Sequence, residues 1–234
     1  MRCDGRRAAM IRGATSALLL CSPPLPALSL AASKADVSMT NLLPKDLTLY
    51  EGDAAPLAHA SFECLNIRGK QQVSLSDLAR SGKYVVLWFY PEDGSEAANN
   101  EKEALYFQRL LRDGKGLPAV GGIGGNELSF NELDAVVLGC SAQPIAAIQQ
   151  ALIDKQLLTI PFISDPRREL ISAFGARSPM GSTARQTFVI DPSGNIRWLE
   201  RNVQFGLGNF NLDNHAARVQ RELYIIHNRD GWSI

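Results

Sequence analysis

Cysteine is scarce in this chain of 234 residues, and the four cysteines that occur are scattered. They are Cys3, Cys21, Cys64 and Cys140. No two of them form a CxxC pair, and no histidine stands near them at the spacing of a metal site. The sequence therefore indicates neither a cysteine-based zinc site nor a small disulfide-held scaffold.

The chain also lacks an excess of charge of either sign. Its 24 lysine and arginine residues offset 24 aspartate and glutamate residues. A balanced chain has no global field that would attract nucleic acid or an anionic membrane surface. We therefore expect no nucleic-acid partner.

Residues 1–35 have the layout of an export signal, with basic residues ahead of an apolar stretch that ends in small residues. Prolines at 23, 24 and 26 break this stretch, so we expect no membrane span in the mature chain. The pair Arg6 and Arg7 resembles a twin-arginine signal, as found in bacterial exported proteins and in transit peptides for the thylakoid lumen. The plastid thylakoid lumen is the favoured location. The bacterial periplasm and the secretory pathway remain alternative locations. A disordered leader that carries no targeting signal also remains an alternative.

The remaining length allows one sizeable core. The sequence predicts a linker over residues 36–48 and a single domain over residues 49–234. Within that domain, residues 113–131 are rich in glycine and include the run GGIGGNE. This spacing fits neither the dinucleotide-binding nor the Walker pattern, so we predict a surface insertion rather than a phosphate-binding loop.

The apolar run Tyr84–Tyr90 predicts a fully buried strand that ends at Pro91. Asp93 and Glu96 then stand three apart, as in a capping box, and apolar residues follow at helical spacing. The helix is therefore predicted to start near Ser95. Its free N–H groups would point into the turn after the strand, which is where an α/β fold places its chemistry.

Further patterns complete the predicted domain. Residues 133–141 form a second apolar strand followed by helical spacing, which makes a βαβ unit with the first strand. Residues 185–190 and 196–199 predict a hairpin, and apolar residues at 216, 219, 223 and 226 predict a closing helix. The order of elements predicts an α/β domain with a thioredoxin-like fold, in which helices flank a central mixed sheet.

Several segments that occur in this order resemble the peroxiredoxins, in particular the peroxiredoxin Q or bacterioferritin-comigratory-protein type, a branch of the alkyl hydroperoxide reductase and thiol-specific antioxidant family. The resemblance spans roughly residues 49–223. The segments are GDAAP, VSLSDLARSGKYVVLWFYPED, LDAVVLGCS, IPFISDPRRELISAFGA and ARQTFVIDPSGNIR.

The resemblance places the family's active site in the turn after Pro91. It implies that Ser95 stands where the family has a threonine and that Arg185 is the active-site arginine. It implies that Ala98 occupies the position of the peroxidatic cysteine. Glu103 stands where the resolving cysteine is expected.

Two hypotheses follow from this comparison. The first is a catalytically silent member of antioxidant and redox ancestry, a pseudoenzyme that acts as a binding or assembly subunit of a protein complex in its compartment. The second is a thioredoxin-dependent thiol peroxidase that reduces hydroperoxides through Cys140, with a thioredoxin-type reductant as partner. We favour the first, because alanine has no nucleophile. Neither requires a cofactor or a metal.

Other conspicuous residues have simpler interpretations. Arg185 either binds peroxide or pairs with Glu96 or another carboxylate, and the sequence leaves both open. Cys140 is interpreted as a small buried apolar residue. Trp88 and Phe89 are predicted to lie in the core. The three histidines, His59, His215 and His227, are predicted to be surface or capping residues.

Overall fold

The computed structural model describes residues 48–57, 61–66, 69–92, 94–112, 128–154, 158–201, 203 and 212–230. All of them belong to one compact unit that spans residues 42–234. The predicted targeting segment, nearly all of the predicted linker, residues 113–127 of the predicted insertion and His59 lie outside the described residues.

The described chain alternates strands and helices as an α/β domain. The strands are β1 Ser61–Asn66, β2 Gly69–Ser74, β3 Tyr84–Phe89, β4 Ala135–Ser141, β5 Phe162–Ser164, β6 Gln186–Ile190 and β7 Ile196–Arg201. The helices are α1 Leu75–Arg80, α2 Ala97–Arg112, α3 Ile145–Ile148, α4 Glu169–Ala173 and α5 Leu212–Arg229. A π-helical turn, Gln149–Ile153, continues α3.

The seven strands form one mixed sheet in the order β2-β1-β5-β4-β3-β6-β7. β3 lies inside this sheet, parallel to β4 and antiparallel to β6. Every residue of β3 is buried, as its unbroken apolar sequence predicts. The predicted thioredoxin-like fold with a central mixed sheet is confirmed.

Each face of the sheet carries its own hydrophobic cluster. One cluster contains alternate residues of β3, among them Trp88, together with the apolar stripes of α2 and α5. The other contains the intervening residues of β3, among them Phe89, together with residues of α1 and α4. Because side chains alternate across a strand, this division fixes which residues of each strand can contact α2.

One residue near the end of the predicted surface insertion, residues 113–131, belongs to the core. Phe130 lies within the predicted surface insertion but is fully buried. Its ring centroid lies 6.0 Å from that of Phe107 on α2. Large apolar burial of this kind outweighs the loop-like composition of the preceding residues, so position 130 belongs to the core.

A carboxylate at the end of α5 joins that helix to the sheet. Arg197 on β7 donates two hydrogen bonds to Asp230, at 2.6 and 2.7 Å, and one to Asp191 at 3.2 Å. The hydroxyl of Tyr84 donates to the same Asp230 at 3.2 Å. Hydrogen bonds from Arg197 hold the pKa of the Asp230 carboxyl below its usual value.

From the ion pair between Arg197 and Asp230 we predict a loss of folding stability in acid. A carboxyl whose folded pKa is lowered stabilises the fold at neutral pH, and that stabilisation is lost as the pH falls through the folded pKa. Arg197→Met should lower the free energy of unfolding by about 1 kcal/mol at neutral pH. Urea unfolding of both proteins from neutral to acid pH should show a smaller acid-induced loss in the variant. Parallel pH profiles would contradict the prediction.

Within the described ranges, no helix combines the length and the apolar character that crossing a membrane requires.

Candidate functional site

The turn between β3 and α2 is fastened to the first turn of the helix. The side-chain amide of Asn100 donates to the carbonyl oxygen of Pro91 at 2.9 Å. The backbone N–H of Asn100 donates to the carbonyl of Glu96 at 2.9 Å, which is the first turn of helical hydrogen bonding. Asn100 is fully buried. Its side chain therefore holds the end of β3 against the start of α2.

Arg185 reaches this turn because it immediately precedes β6. In the antiparallel pairing, Gln186 lies opposite Phe89, so Arg185 is brought to the end of β3 where the turn begins. Only 3% of its side chain is exposed. Burial of a guanidinium at this level requires charged or polar acceptors around it.

Three side chains of the turn and of α2 accept hydrogen bonds from Arg185. Nη1 donates to the buried carboxylate of Glu103. Nη2 donates to Asn100 Oδ1 at 2.7 Å and to Glu96 Oε2 at 3.2 Å. Arg185 therefore does pair with Glu96, one of the two interpretations that the sequence left open. Its closer partners are Glu103 and Asn100.

A second layer of polar groups extends from Glu103 to α5. The other oxygen of Glu103 contacts Nδ1 of His215. Nε2 of His215 lies 3.2 Å from the hydroxyl of Thr187 and 3.7 Å from Glu200. Arg218 donates to Glu200 in turn. We call this set the Arg185 network: Glu96, Asn100, Glu103, Arg185, Thr187, His215, Glu200 and Arg218.

Two of the histidines are not the surface residues that the sequence allowed, although His227 does lie in the last turn of α5. His215 is fully buried and His227 is 6% exposed, so neither is a surface residue. His215 is held by Glu103, which lies 112 residues earlier in the chain, and its ring packs edge-on against Phe107 at 5.6 Å. Such a partner is set by tertiary packing, and spacing along the sequence does not reveal it.

The two residues that the resemblance placed in the reactive turn differ in burial from the residue of that turn that contacts Arg185. Ser95 and Ala98 are both exposed, whereas Asn100 is buried and contacts the guanidinium. Helical spacing could have identified Asn100. It lies three, four and seven residues before Glu103, Ala104 and Phe107, so all four share the buried face of α2.

Cys140 lies on the other face of the sheet. It is aligned with Phe89 in the β3–β4 pair and belongs to the cluster covered by α1 and α4. α2 packs on the opposite face. Cys140 and Cys64 are both fully buried, which agrees with the packing role expected for them. Burial raises the pKa of Cys64 to about 11 and that of Cys140 well above its usual value.

These positions predict that both core thiols are inert in the folded protein. A thiol reagent at about pH 8 should label Cys64 and Cys140 only slowly, because the attacking species is the thiolate and both thiols are buried. Labelling in denaturant, located by peptide mass spectrometry, is the matched control. Rapid labelling of Cys140 at neutral pH in the folded state would contradict the prediction.

A separate contact holds the start of the turn. The Glu92 carboxylate accepts from Arg168 at 2.7 Å and from the backbone N–H of Thr183 at 3.1 Å. The Arg168 side chain also donates to the carbonyl of Gly181. The turn is thus fixed from both sides, by Glu92 at its beginning and by Asn100 at its end.

The comparisons with known proteins agree with this architecture. A family model described as the AhpC/TSA family matches residues 125–199. A Mycobacterium tuberculosis (strain H37Rv) protein assigned by name to the peroxiredoxins is 29% identical over 188 residues, which is 77% of this chain and 99% of the relative. The chain is a homologue of the peroxiredoxins. The alkyl hydroperoxide reductase C of Mycolicibacterium smegmatis is 29% identical over 121 residues, 50% of this chain and 53% of that protein.

Solved structures show that the homologue has the peroxiredoxin fold. A Xylella fastidiosa PrxQ mutant aligns with a TM-score of 0.58 and 24% identity over 77% of this chain and 99% of that chain. The Mycobacterium tuberculosis AhpC structure aligns with a TM-score of 0.59 and 21% identity over 80% of this chain and 97% of that chain. The segment matched by the family model contains Arg185 and Cys140 but begins after α2. The whole of α2, with Glu96, Asn100 and Glu103 near its start, therefore lies outside the segment that the family model matches.

Proposed function

We propose that this peroxiredoxin homologue is catalytically silent and acts as a binding or assembly subunit. One observation carries the proposal. In the described part of the chain, the Arg185 guanidinium donates hydrogen bonds to two carboxylates and an amide oxygen, those of Glu96, Glu103 and Asn100. None of these groups is a thiol.

Peroxide reduction by this family's mechanism requires a thiolate beside the arginine. Helix N–H groups and a guanidinium lower the thiol pKa, and the same donors stabilise the departing oxygen. Here the guanidinium is already bound to carboxylates, so its hydrogen bonds are directed at fixed groups of the protein. A buried ion pair of this kind supports a structural role for Arg185.

The position of Cys140 argues against the alternative of a relocated thiol. Its side chain lies in the cluster on the face of the sheet opposite α2, and it is fully buried. A peroxide that reached Cys140 would be separated from the Arg185 guanidinium by the sheet. The acidic residue Asp165 also raises the pKa of Cys140, which opposes thiolate formation.

A turnover assay tests the catalytic part of the proposal. The purified chain, hydrogen peroxide, thioredoxin, thioredoxin reductase and NADPH are combined, and NADPH oxidation is followed. We expect no rate above the background without the chain, both for the wild type and for Cys140→Ser. A wild-type rate that Cys140→Ser abolishes would establish the alternative, thiol peroxidase function.

The packing of the core supports the proposal that the chain acts as a binding or assembly subunit. Each face of the sheet carries a large buried cluster and the β3 strand is fully buried, so the described part of the chain is well packed although none of its side chains that accept hydrogen bonds from Arg185 is a thiol. The glycine-rich segment supplies a long connection of the kind that often carries partner contacts. Mild affinity capture from the native compartment should recover a stoichiometric protein partner. An empty capture together with peroxidase turnover would overturn the proposal.

We also propose that the chain is exported, with the thylakoid lumen as the favoured destination. The proposal rests on Arg6, Arg7 and the apolar stretch behind them. In an import assay with isolated chloroplasts, the double change Arg6→Lys and Arg7→Lys should stop the chain before the lumen. Unchanged lumenal arrival of this variant would exclude the twin-arginine route.

A further inference from the structure

We infer that Asn100, and not Ala98, occupies the nucleophile position of this chain, and that a thiol at position 100 would reduce hydroperoxides. This inference deepens the proposed function and rests on it, because it identifies the residue that makes the site silent. It assigns the reactive position by contact with Arg185 instead of by counting residues from Pro91.

The first line of support is the geometry of Asn100. Its side chain is fully buried, and its Oδ1 lies 2.7 Å from Nη2 of Arg185. Its backbone N–H donates to the carbonyl of Glu96 in the first turn of α2, where the helix dipole favours negative charge. Position 100 therefore combines the two features that activate a thiolate, a guanidinium and a helix N-terminus.

The second line of support is the helical register. Residues two apart on an α-helix point about 200° apart, so Ala98 and Asn100 cannot both face Arg185. Glu103, one turn after Asn100, also contacts Arg185, and Ala98 is exposed. The face of α2 that contacts the guanidinium is therefore the face that contains positions 100 and 103. Relative to the position assigned by resemblance, the turn after Pro91 is two residues longer.

The third line of support is the length of the side chain. The Asn100 side chain reaches the guanidinium with an oxygen that lies one bond further from the backbone than a cysteine sulfur would. Replacement by cysteine would leave space between the sulfur and Nη2 of Arg185. A peroxide oxygen placed there would accept the hydrogen bond that Asn100 Oδ1 now accepts.

The expected reaction is balanced with a hydroperoxide as the oxidant. The thiolate attacks one peroxide oxygen, so an S–O bond forms and the O–O bond breaks. Sulfur loses two electrons and becomes a sulfenic acid, while the peroxide gains them. The departing alkoxide takes up a proton and leaves as an alcohol. Arg185 would donate to the oxygen on which negative charge develops.

The experiment compares Asn100→Cys with Ala98→Cys in the otherwise unchanged full chain. Each variant and the wild type are treated with hydrogen peroxide, sulfenic acid is trapped with dimedone, and peptide mass spectrometry locates and quantifies the adduct over time. We expect the thiol at position 100 to be oxidised about 100-fold faster than the thiol at position 98. The pH at which alkylation reaches half its maximal rate should also be lower for Asn100→Cys.

Each outcome has a distinct meaning. Equal or faster oxidation at position 98 would overturn the assignment of Asn100 but leave the silence of the wild type intact. Peroxide-dependent oxidation of Cys140 in the wild type would instead overturn the proposed function. If circular dichroism shows that Asn100→Cys is unfolded, Asn100→Ser and Ala98→Ser replace the cysteine pair. Only Asn100→Ser should then expose Arg185 to phenylglyoxal, and equal protection in both would overturn the inference.

Discussion

Replacing Arg185 with methionine is expected to lower the free energy of unfolding by about 3 kcal/mol, as measured by urea denaturation at neutral pH. Breaking a buried ion pair typically costs about 3–5 kcal/mol, because the remaining charge is left in a medium of low dielectric. Glu103 has no exposed side-chain surface and would lose its guanidinium partner. The lower end of the range applies because His215 still contacts Glu103.

Two controls separate this effect from the simple loss of a positive charge. Arg80 forms an ion pair with Asp77 in which both side chains are more than two-thirds exposed. Arg80→Met should therefore leave the urea midpoint nearly unchanged. Adding Glu103→Met to Arg185→Met should recover part of the stability, because the uncompensated carboxylate is removed. Equal effects of Arg185→Met and Arg80→Met would contradict the burial of the Arg185 network.

Phe107→Ala is expected to lower the free energy of unfolding by about 3–5 kcal/mol, because truncation of a buried phenylalanine loses apolar burial and leaves a cavity. The Phe107 ring has no exposed surface and lies 5.1 Å from Trp88 and 6.0 Å from Phe130. It also packs against His215, so the change should loosen the contact between α2 and α5. Urea denaturation monitored by circular dichroism measures the loss.

Leu105→Ala is the matched control on the same helix. Leu105 is 39% exposed, so its truncation should cost about 0.5 kcal/mol or less. Because alanine is a strong helix former, both substitutions keep the helix propensity of α2 high. A loss for Leu105→Ala that equals the loss for Phe107→Ala would mean that α2 does not pack on its Phe107 face.

The sequence predicts the framework of this domain well. β3 follows from its unbroken apolar run, and every one of its residues is buried. α5 follows from the spacing of Ala216, Val219, Leu223 and Ile226, all of which lie in the core. These features depend on hydrophobic periodicity. Periodicity is a property of the local sequence, so it can be recognised without knowing which elements pack against the segment.

Helix starts are predicted less well. Ser74 and Ser76 both stand at the start of α1, and the residue that caps the helix is Ser74, whose hydroxyl accepts from the N–H of Asp77. The two serines also hydrogen-bond to each other at 2.9 Å. Neighbouring serines offer equivalent caps in sequence, and the end of the β2 strand decides between them.

The site depends on contacts that join distant parts of the chain. Counting along the turn from Pro91 leads to Ala98, whereas contact with Arg185 leads to Asn100. The difference is two residues in the length of a turn, which the apolar pattern does not constrain. The same limitation applies to His215, whose burial depends on Glu103 in a different helix. In both cases the sequence would have to show which face of α2 is buried, because Asn100 and Glu103 both lie on that face.

We expect that the wild-type chain does not react with peroxide through a cysteine. A single-turnover measurement tests it without the need to know a reductant. The wild-type protein is mixed with a small excess of hydrogen peroxide, sampled over time with dimedone and mapped by mass spectrometry, with glutathione in the same tube as the internal reference. We predict that no cysteine of the chain is oxidised faster than glutathione. Oxidation of any cysteine, Cys140 above all, about 100-fold faster than glutathione would contradict it.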